Sequence, residues 1–234
     1  MERLDKILAN MGVGTRKEVK KLTRKGAVKV NGVTVTDSDI KIDEENDEIT
    51  VFDQPLVYRK YVYLMLNKPS GYVSAVTDNR YPTVVELADD FYSNYDLFPV
   101  GRLDVDTEGL LVLTNDGALA HKVLSPKNHI PKKYFVKTKR QVTKEDVKML
   151  QSPMDLGDFT TIPAKVEFCE DGVVICIYEG KFHQVKRMFE KTGNEVTYLK
   201  RISMGKLCLD EKLELGEMRE LEEQEVQLLV LDKI

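Results

Sequence analysis

The first apolar positions, Leu4, Ile7, Leu8 and Met11, recur along one face of a helix, and Gly12 and Gly14 close that segment. Thr15-Arg-Lys-Glu18 then has the form of a capping box, the threonine hydroxyl accepting from a first-turn amide while the glutamate reaches back. The helix it opens is expected to bury Val19 and Leu22 and to stop at Gly26. Residues 27–30 and 33–35 flank Asn31-Gly32, a pair suited to a hairpin turn that needs positive φ at both central positions. After an acidic stretch over 37–48 comes a strand at 49–51 and a short connection at 53–56.

A second series of apolar segments begins at 61–66. Further strands are expected at 110–113, 134–138, 164–168, 173–178 and 196–201, and helices at 84–89, 118–124, 143–150, 183–191 and 222–229. These elements do not alternate strictly, and several strands are separated by turns alone. The fold class is therefore α+β: a small N-terminal module over 1–56, a linker at 57–60, and a body over 61–234 with a central, mostly antiparallel sheet.

Charge sharpens this division. The 234 residues carry a formal net charge of −4, yet residues 1–36 hold nine basic side chains against three acidic ones. Arg16, Lys20 and Arg24 line one flank of the second helix, with Lys17 and Lys21 beside them. Five neighbouring cations repel one another, and a phosphate backbone would relieve that repulsion. No apolar run is long enough to span a membrane, and the mixed, charged N-terminus is unlike a secretory signal. Three scattered cysteines and three histidines show neither a disulfide framework nor metal-ligand spacing. A cytoplasmic, reduced protein without a metal or cofactor is expected.

Three segments of the body carry candidate chemistry. In 99–117 a polar loop bounded by Gly101 and Gly109 runs into the apolar strand 110–113, a stiff platform for reacting groups. Arg102 lies two residues from Asp104, and Asp106, Glu108 and Asp116 compete with it; an ordinary structural Arg–Asp turn is the plainer alternative. In 179–189, Lys186 and Arg187 sit in the first turn of a helix, against its dipole, which points to contacts with a carboxylate or a phosphate. In 131–136, Lys132 and Lys133 precede Tyr134, a basic and aromatic mixture suited to phosphate contact and base stacking, though a core tyrosine is the default.

Two resemblances follow from these residues. The order RLDKILANMGVGTRKEVKKLTRKGAVKVNG resembles the αL RNA-binding domain named for a small-subunit ribosomal protein, with Thr15 where that family usually has serine. GRLDVDTEGLLVLTNDG, PKKYFVK and EGKFHQVKRMF, preceded by NKPSGYVSA, resemble the pseudouridine synthases that modify ribosomal RNA, and SPKNHIPKKYFV resembles their small-subunit branch. The resemblance implies isomerisation of a uridine without redox chemistry, cofactor or energy donor. It places the catalytic aspartate at Asp104, the base-stacking tyrosine at Tyr134, and the basic partner of the aspartate at Lys186, with Arg187 as the competing position because many relatives carry arginine. It implies either attack of Asp104 on the anomeric carbon or removal of the neighbouring ribose proton. Arg102, Lys132 and Arg187 in the body, and Arg3, Arg16, Lys17, Lys20 and Arg24 in the head, are the expected RNA contacts. The expected partner is 16S rRNA, free or within a pre-ribosomal particle, bound by a monomer. Two other readings compete: the same chemistry on 23S rRNA, and a non-catalytic rRNA-binding assembly factor. A carboxylate glycoside hydrolase is disfavoured by the basic neighbours of Asp104.

Overall fold

The computed structural model describes residues 1–44, 46–56 and 58–230. Val57 of the expected linker and residues 231–234 of the expected body lie outside the described residues. The chain divides into two compact units, 1–62 with 89–96, and 63–88 with 97–234. Residues 89–96, read from the sequence as part of the body, thus cluster with the first unit. No helix among the described residues is long and apolar enough to cross a membrane.

In the first unit, β1 (Glu2–Arg3) leads into α1 (Leu4–Asn10), and α2 (Arg16–Arg24) follows. The capping box forms: Glu18 Oε2 accepts from the Thr15 amide at 2.8 Å, and Thr15 Oγ1 accepts from the Glu18 amide at 3.4 Å. β2 (Val28–Val30) and β3 (Val33–Thr34) make the hairpin, with Asn31 and Gly32 at φ 51° and 77°. β4 (Lys41–Ile42) pairs with β1, while β5 (Ile49–Val51) and β6 (Gln54–Leu56) complete an antiparallel sheet in the order β3-β2-β5-β6. Leu4, Ile7, Leu8, Val19, Val28, Ile42 and Ile49 form its core.

Two details differ from the sequence reading. Leu22 is only half-buried, and Thr23 is buried beside Val19, its hydroxyl donating to the Val19 carbonyl at 2.9 Å. The internal hydrogen bond is what lets a polar group replace leucine there. The connection at 53–56 contains strand β6, because Phe52 and Asp53 both adopt positive φ and fold the chain back onto β5. Pro55 is tolerated because β6 is an edge strand.

The second unit is built on β7 (Tyr63–Lys68), β8 (Phe98–Pro99), β9 (Glu108–Thr114), β10 (Lys132–Thr138), β11 (Lys165–Cys169), β12 (Gly172–Ile177), β13 (Val196–Met204), β14 (Leu207–Cys208) and β15 (Met218–Glu220). Its helices are α3 (Gly117–Leu124), α4 (Lys144–Leu150), α5 (Gln184–Lys191) and α6 (Glu223–Leu228). The main sheet runs β11-β12-β10-β13-β9-β7-β15, with β8 on β9 and β14 on β13. Every pairing is antiparallel except the central one between β13 and β9. That parallel pairing aligns Arg201 with Gly109, and a Cβ on Gly109 would lie 2.2 Å from the Arg201 carbonyl oxygen. Gly109, at φ 98°, is thus required for the loop to enter β9 beside β13.

β9 is buried along Gly109–Thr114, which explains its unbroken apolar run. β10 alternates as expected, Tyr134 and Val136 inward, Lys133 and Lys137 outward. The helix expected at 84–89 is only a 3₁₀ turn over Val84–Leu87, since Ala88 is already extended and one turn of helix cannot propagate. The strand expected at 61–66 starts at Tyr63, leaving Tyr61 exposed. β15 carried no alternation to reveal it; it joins the sheet by backbone pairing with β7.

Candidate active site

The loop between β8 and β9 is held from below by a buried cation. Lys68, the last residue of β7, is fully buried, and its ammonium donates to the carbonyls of Pro69, Asp104, Val105 and Thr107 at 2.8–3.2 Å. Burial pulls the Lys68 ammonium down to about 8, against the pull of the Asp106 and Asp104 carboxylates. Ser74 clamps Leu103 from both sides, its hydroxyl bonded to the Leu103 amide and carbonyl at 3.0 Å each. The Gly71 amide donates to the Val105 carbonyl at 2.8 Å. The NKPSGYVSA segment is therefore the support of the Asp104 loop.

Replacing Lys68 with methionine would leave those carbonyls buried without their donor. The expected result is a loss of about 2–4 kcal/mol of stability in urea unfolding, with a turnover loss that exceeds the change in KM, since Asp104 would lose its placement. Wild-type turnover in a destabilised Lys68→Met protein would show that the support is not transmitted to the carboxylate.

Asp104 projects from this loop into a cavity of about 400 Å³ that also exposes Arg102, Tyr134, His183, Lys186 and Arg201. Lys186 Nζ is 3.0 Å from Asp104 Oδ2 and 2.6 Å from Asp106 Oδ1, and His183 Nε2 is 3.5 Å from Asp104 Oδ1. Burial works to lower the Lys186 ammonium, but its hydrogen bonds to Asp106 and Asp104 hold it above its ordinary value. Burial works to raise the Asp106 carboxyl, and the Lys186 hydrogen bond and charge outweigh it and leave it low. One lysine thus bridges two carboxylates. Tyr134, 7% exposed, forms part of the cavity wall from β10.

α5 positions these groups because Gln184, Val185, Met188 and Phe189 bury one face of it. Gln184 ties the preceding turn down, donating to Glu179 Oε2 at 2.9 Å and accepting from the Lys181 amide at 3.2 Å. With that face fixed, Lys186 reaches the Asp104 loop. Arg187 turns the other way: it pairs with Asp158, donates to the carbonyls of Leu156 at 2.5 Å and Phe182 at 3.3 Å, and lies over the Phe159 ring. The two cations of the first turn thus find carboxylates, as their position against the dipole suggested.

The competing carboxylates have other work. Asp116 caps α3, accepting from the Ala118 and Leu119 amides at 3.0 Å, and also accepts from Tyr63 Oη at 2.8 Å. Glu108 accepts from Tyr198 Oη at 2.7 Å. Only Asp104 combines a place in the cavity with the lysine pair.

Three expected RNA contacts are engaged by protein groups, Lys132 and Arg187 withdrawn from the surface and Arg3 still exposed. Lys132 is buried in the cavity wall and donates to the Ile130 carbonyl at 2.7 Å, and burial, helped by the Arg201 charge, pulls it down to about 8. Alternation on β10 sends Lys132 to the Tyr134 side of the sheet and Lys133 to the other. Arg187 anchors the 156–159 loop, as described. Arg3 binds Asp5 through Nε and Nη2 at 3.0 and 2.8 Å and Asp39 at 2.7 Å. Arg102, Arg16, Lys17, Lys20 and Arg24 remain exposed.

Sequence reasoning singled out neither Lys68 nor Arg201. Arg201 is 2% exposed, donates through Nε to the Leu110 carbonyl at 2.7 Å, and keeps a buried Nη2 without a protein partner. A lysine ending an apolar strand and an arginine inside one were the available signals.

The α+β body thus brings a lysine-paired aspartate and a tyrosine into one cavity, following a small module with a basic helix. The family description RNA pseudouridylate synthase matches residues 62–191, and the description S4 domain matches residues 2–49. The chain belongs to the RNA pseudouridylate synthase family. It is 48% identical to the RNA pseudouridine synthase YtzG of Bacillus subtilis, covering 97% of this chain and 98% of that one. It is 41% identical to the ribosomal small subunit pseudouridine synthase A of Haemophilus influenzae over 97% and 99% of the two chains. It is 39% identical to the ribosomal large subunit pseudouridine synthase B of Bacillus subtilis over 98% and 96%. A crystal structure of a pseudouridylate synthase superposes with a TM-score of 0.68 at 39% identity, covering 98% of this chain and all of that one.

Proposed function

We propose that this enzyme converts a specific uridine of ribosomal RNA, in the 16S molecule of the small subunit, to pseudouridine without a cofactor, using Asp104. The observation that carries this reading is the Asp104 carboxylate, 3.0 Å from Lys186 Nζ in a cavity whose wall includes Tyr134. A cation at that distance favours the ionised carboxylate, the form needed to attack the anomeric carbon or to take the adjacent ribose proton. Either step releases uracil from the sugar. Tyr134 retains the freed ring against the cavity wall while it turns; carbon five then bonds to the same anomeric carbon as Asp104 leaves it or returns the ribose proton, and the proton lost from carbon five is balanced by one gained at nitrogen one. No group is gained or lost overall, so the chain's own residues suffice.

A paired uridine cannot reach a carboxylate inside a cavity, so the target base is extruded from its stack. Arg102, exposed at the cavity wall, is placed to meet the phosphate beside it. Support for ribosomal RNA comes from relatives named for both subunits. The wording of 125–136 and 179–189 favours the small one.

In the head, Arg16, Lys17, Lys20 and Arg24 form an exposed cationic flank on α2 that would hold rRNA and raise the local concentration of the target. Reversing Arg16 and Lys20 together to glutamate is expected to raise KM about tenfold and to reduce the salt dependence of binding by about two charges, with kcat unchanged. An equal loss in kcat would mean that the head acts on the chemical step.

The proposal as a whole is tested by mapping pseudouridine chemically in 16S and 23S rRNA from cells carrying the wild-type gene or Asp104→Asn. Loss of one 16S site is the expected result. Loss of a 23S site would overturn the subunit assignment alone. An unchanged map with a variant that still binds rRNA would favour an assembly factor.

A further inference from the structure

Phe182 is 73% exposed at the edge of the site, although its neighbour His183 lines the cavity. The two rings are stacked, with centroids 3.8 Å apart and planes 16° from parallel. The stack adjoins the Asp104 carboxylate, since His183 Nε2 lies 3.5 Å from Asp104 Oδ1. Isolated exposed aromatic rings are ordinary on protein surfaces. This one is held in place. His183 adopts a left-handed backbone, φ 50° and ψ 29°, rare for a residue with a side chain. The Phe182 carbonyl accepts from Arg187 Nη1 at 3.3 Å, and Arg187 is itself fastened to Asp158 and to the Leu156 carbonyl. Around the ring the chain is cationic and aromatic, with Lys181 and Arg187 at 5.7 and 5.4 Å from the Phe159 ring centre.

We propose that Phe182, backed by His183, is a stacking platform for the nucleobase next to the target uridine in the RNA strand. When the target base leaves its stack to enter the cavity, its neighbour loses one stacking face. An anchored phenyl ring, one imidazole away from the Asp104 carboxylate, offers a replacement. Stacking accepts any base, so the platform contributes binding and placement of the extruded nucleotide without reading sequence. The inference rests on the reading that the target uridine occupies the Asp104 cavity.

The test uses full-length protein and a hairpin RNA with a single loop uridine flanked by 2-aminopurine, whose fluorescence is quenched by stacking. Wild type and Phe182→Tyr should quench it on binding, and Phe182→Ala and Phe182→Leu should not. On an ordinary RNA substrate Phe182→Ala should raise KM by about 5- to 100-fold with kcat nearly unchanged. On the same RNA with an abasic flanking nucleotide, wild type and Phe182→Ala should have the same KM, because the partner of the ring is gone. Equal quenching by Phe182→Ala, or an equal KM penalty on the abasic RNA, overturns the platform. If quenching depends on Phe182 but no pseudouridine forms with wild type, the platform stands and the catalytic reading fails.

Discussion

Asp104→Asn is expected to lower single-turnover pseudouridine formation by about 10⁴-fold or more while RNA affinity stays within about twofold of wild type. The substitution is nearly isosteric, so the loop keeps its supports from Lys68 and Ser74, both of which act on backbone or on neighbouring residues. Lys186 also keeps a carboxylate partner in Asp106. What disappears is the negative charge that attacks carbon or accepts a proton, and an amide does neither at useful rates. The measurement is a chemical map of the modified base over time with enzyme in excess, beside a filter-binding titration with the same RNA. Turnover within tenfold of wild type would remove Asp104 from the chemistry and return attention to Asp106, whose side chain is 68% exposed and also touches Lys186.

Lys186→Met is expected to cost about 10²- to 10³-fold in turnover, with a change in the pH profile that identifies the cause. Without the ammonium, Asp106 loses the hydrogen bond and charge that hold its carboxyl low against burial, and it should titrate at a higher pH. The acid limb of kcat/KM should therefore move to higher pH with that carboxyl. Lys186→Arg should restore the wild-type limb and most of the rate, since it returns the charge. A wild-type pH profile in the methionine variant would show that Lys186 orients the carboxylates without setting the acid limb. Arg187 serves as the contrast. Tied to Asp158 and to the Leu156 and Phe182 carbonyls, it should affect stability and the surrounding loop more than the acid limb.

Much of this molecule was legible in the linear chain wherever the signal was local. Thr15 and Glu18 are three residues apart and cap a helix through that spacing alone. Asn31-Gly32 makes its turn because both backbones tolerate positive φ. The apolar face of α5 follows from Val185, Met188 and Phe189 at helical intervals, and the inward Tyr134 from alternation along β10. The motifs around Asp104 and Lys186 were recognisable through their resemblance to a known family; by local chemistry alone a structural Arg–Asp turn was the plainer reading.

The tertiary structure decided everything that depended on groups distant in the chain. Adjacent residues Lys186 and Arg187 carry the same sign, and only the seating of α5 sends one to Asp104 and the other to Asp158. Lys132 resembled a surface cation until β10 was flanked by β12 and β13 and its inward face became the cavity wall. Lys68 resembled an ordinary turn residue. It became the support of the active loop because the Asp104, Val105 and Thr107 carbonyls converge on it, and a buried ammonium is tolerated only where such acceptors surround it. The sequence by itself therefore determined the local elements, the α+β character and the candidates for reaction. The packing of β13 against β9, at a glycine with no room for a Cβ, decided how those residues meet, because register and facing are properties of neighbouring strands and not of either strand alone.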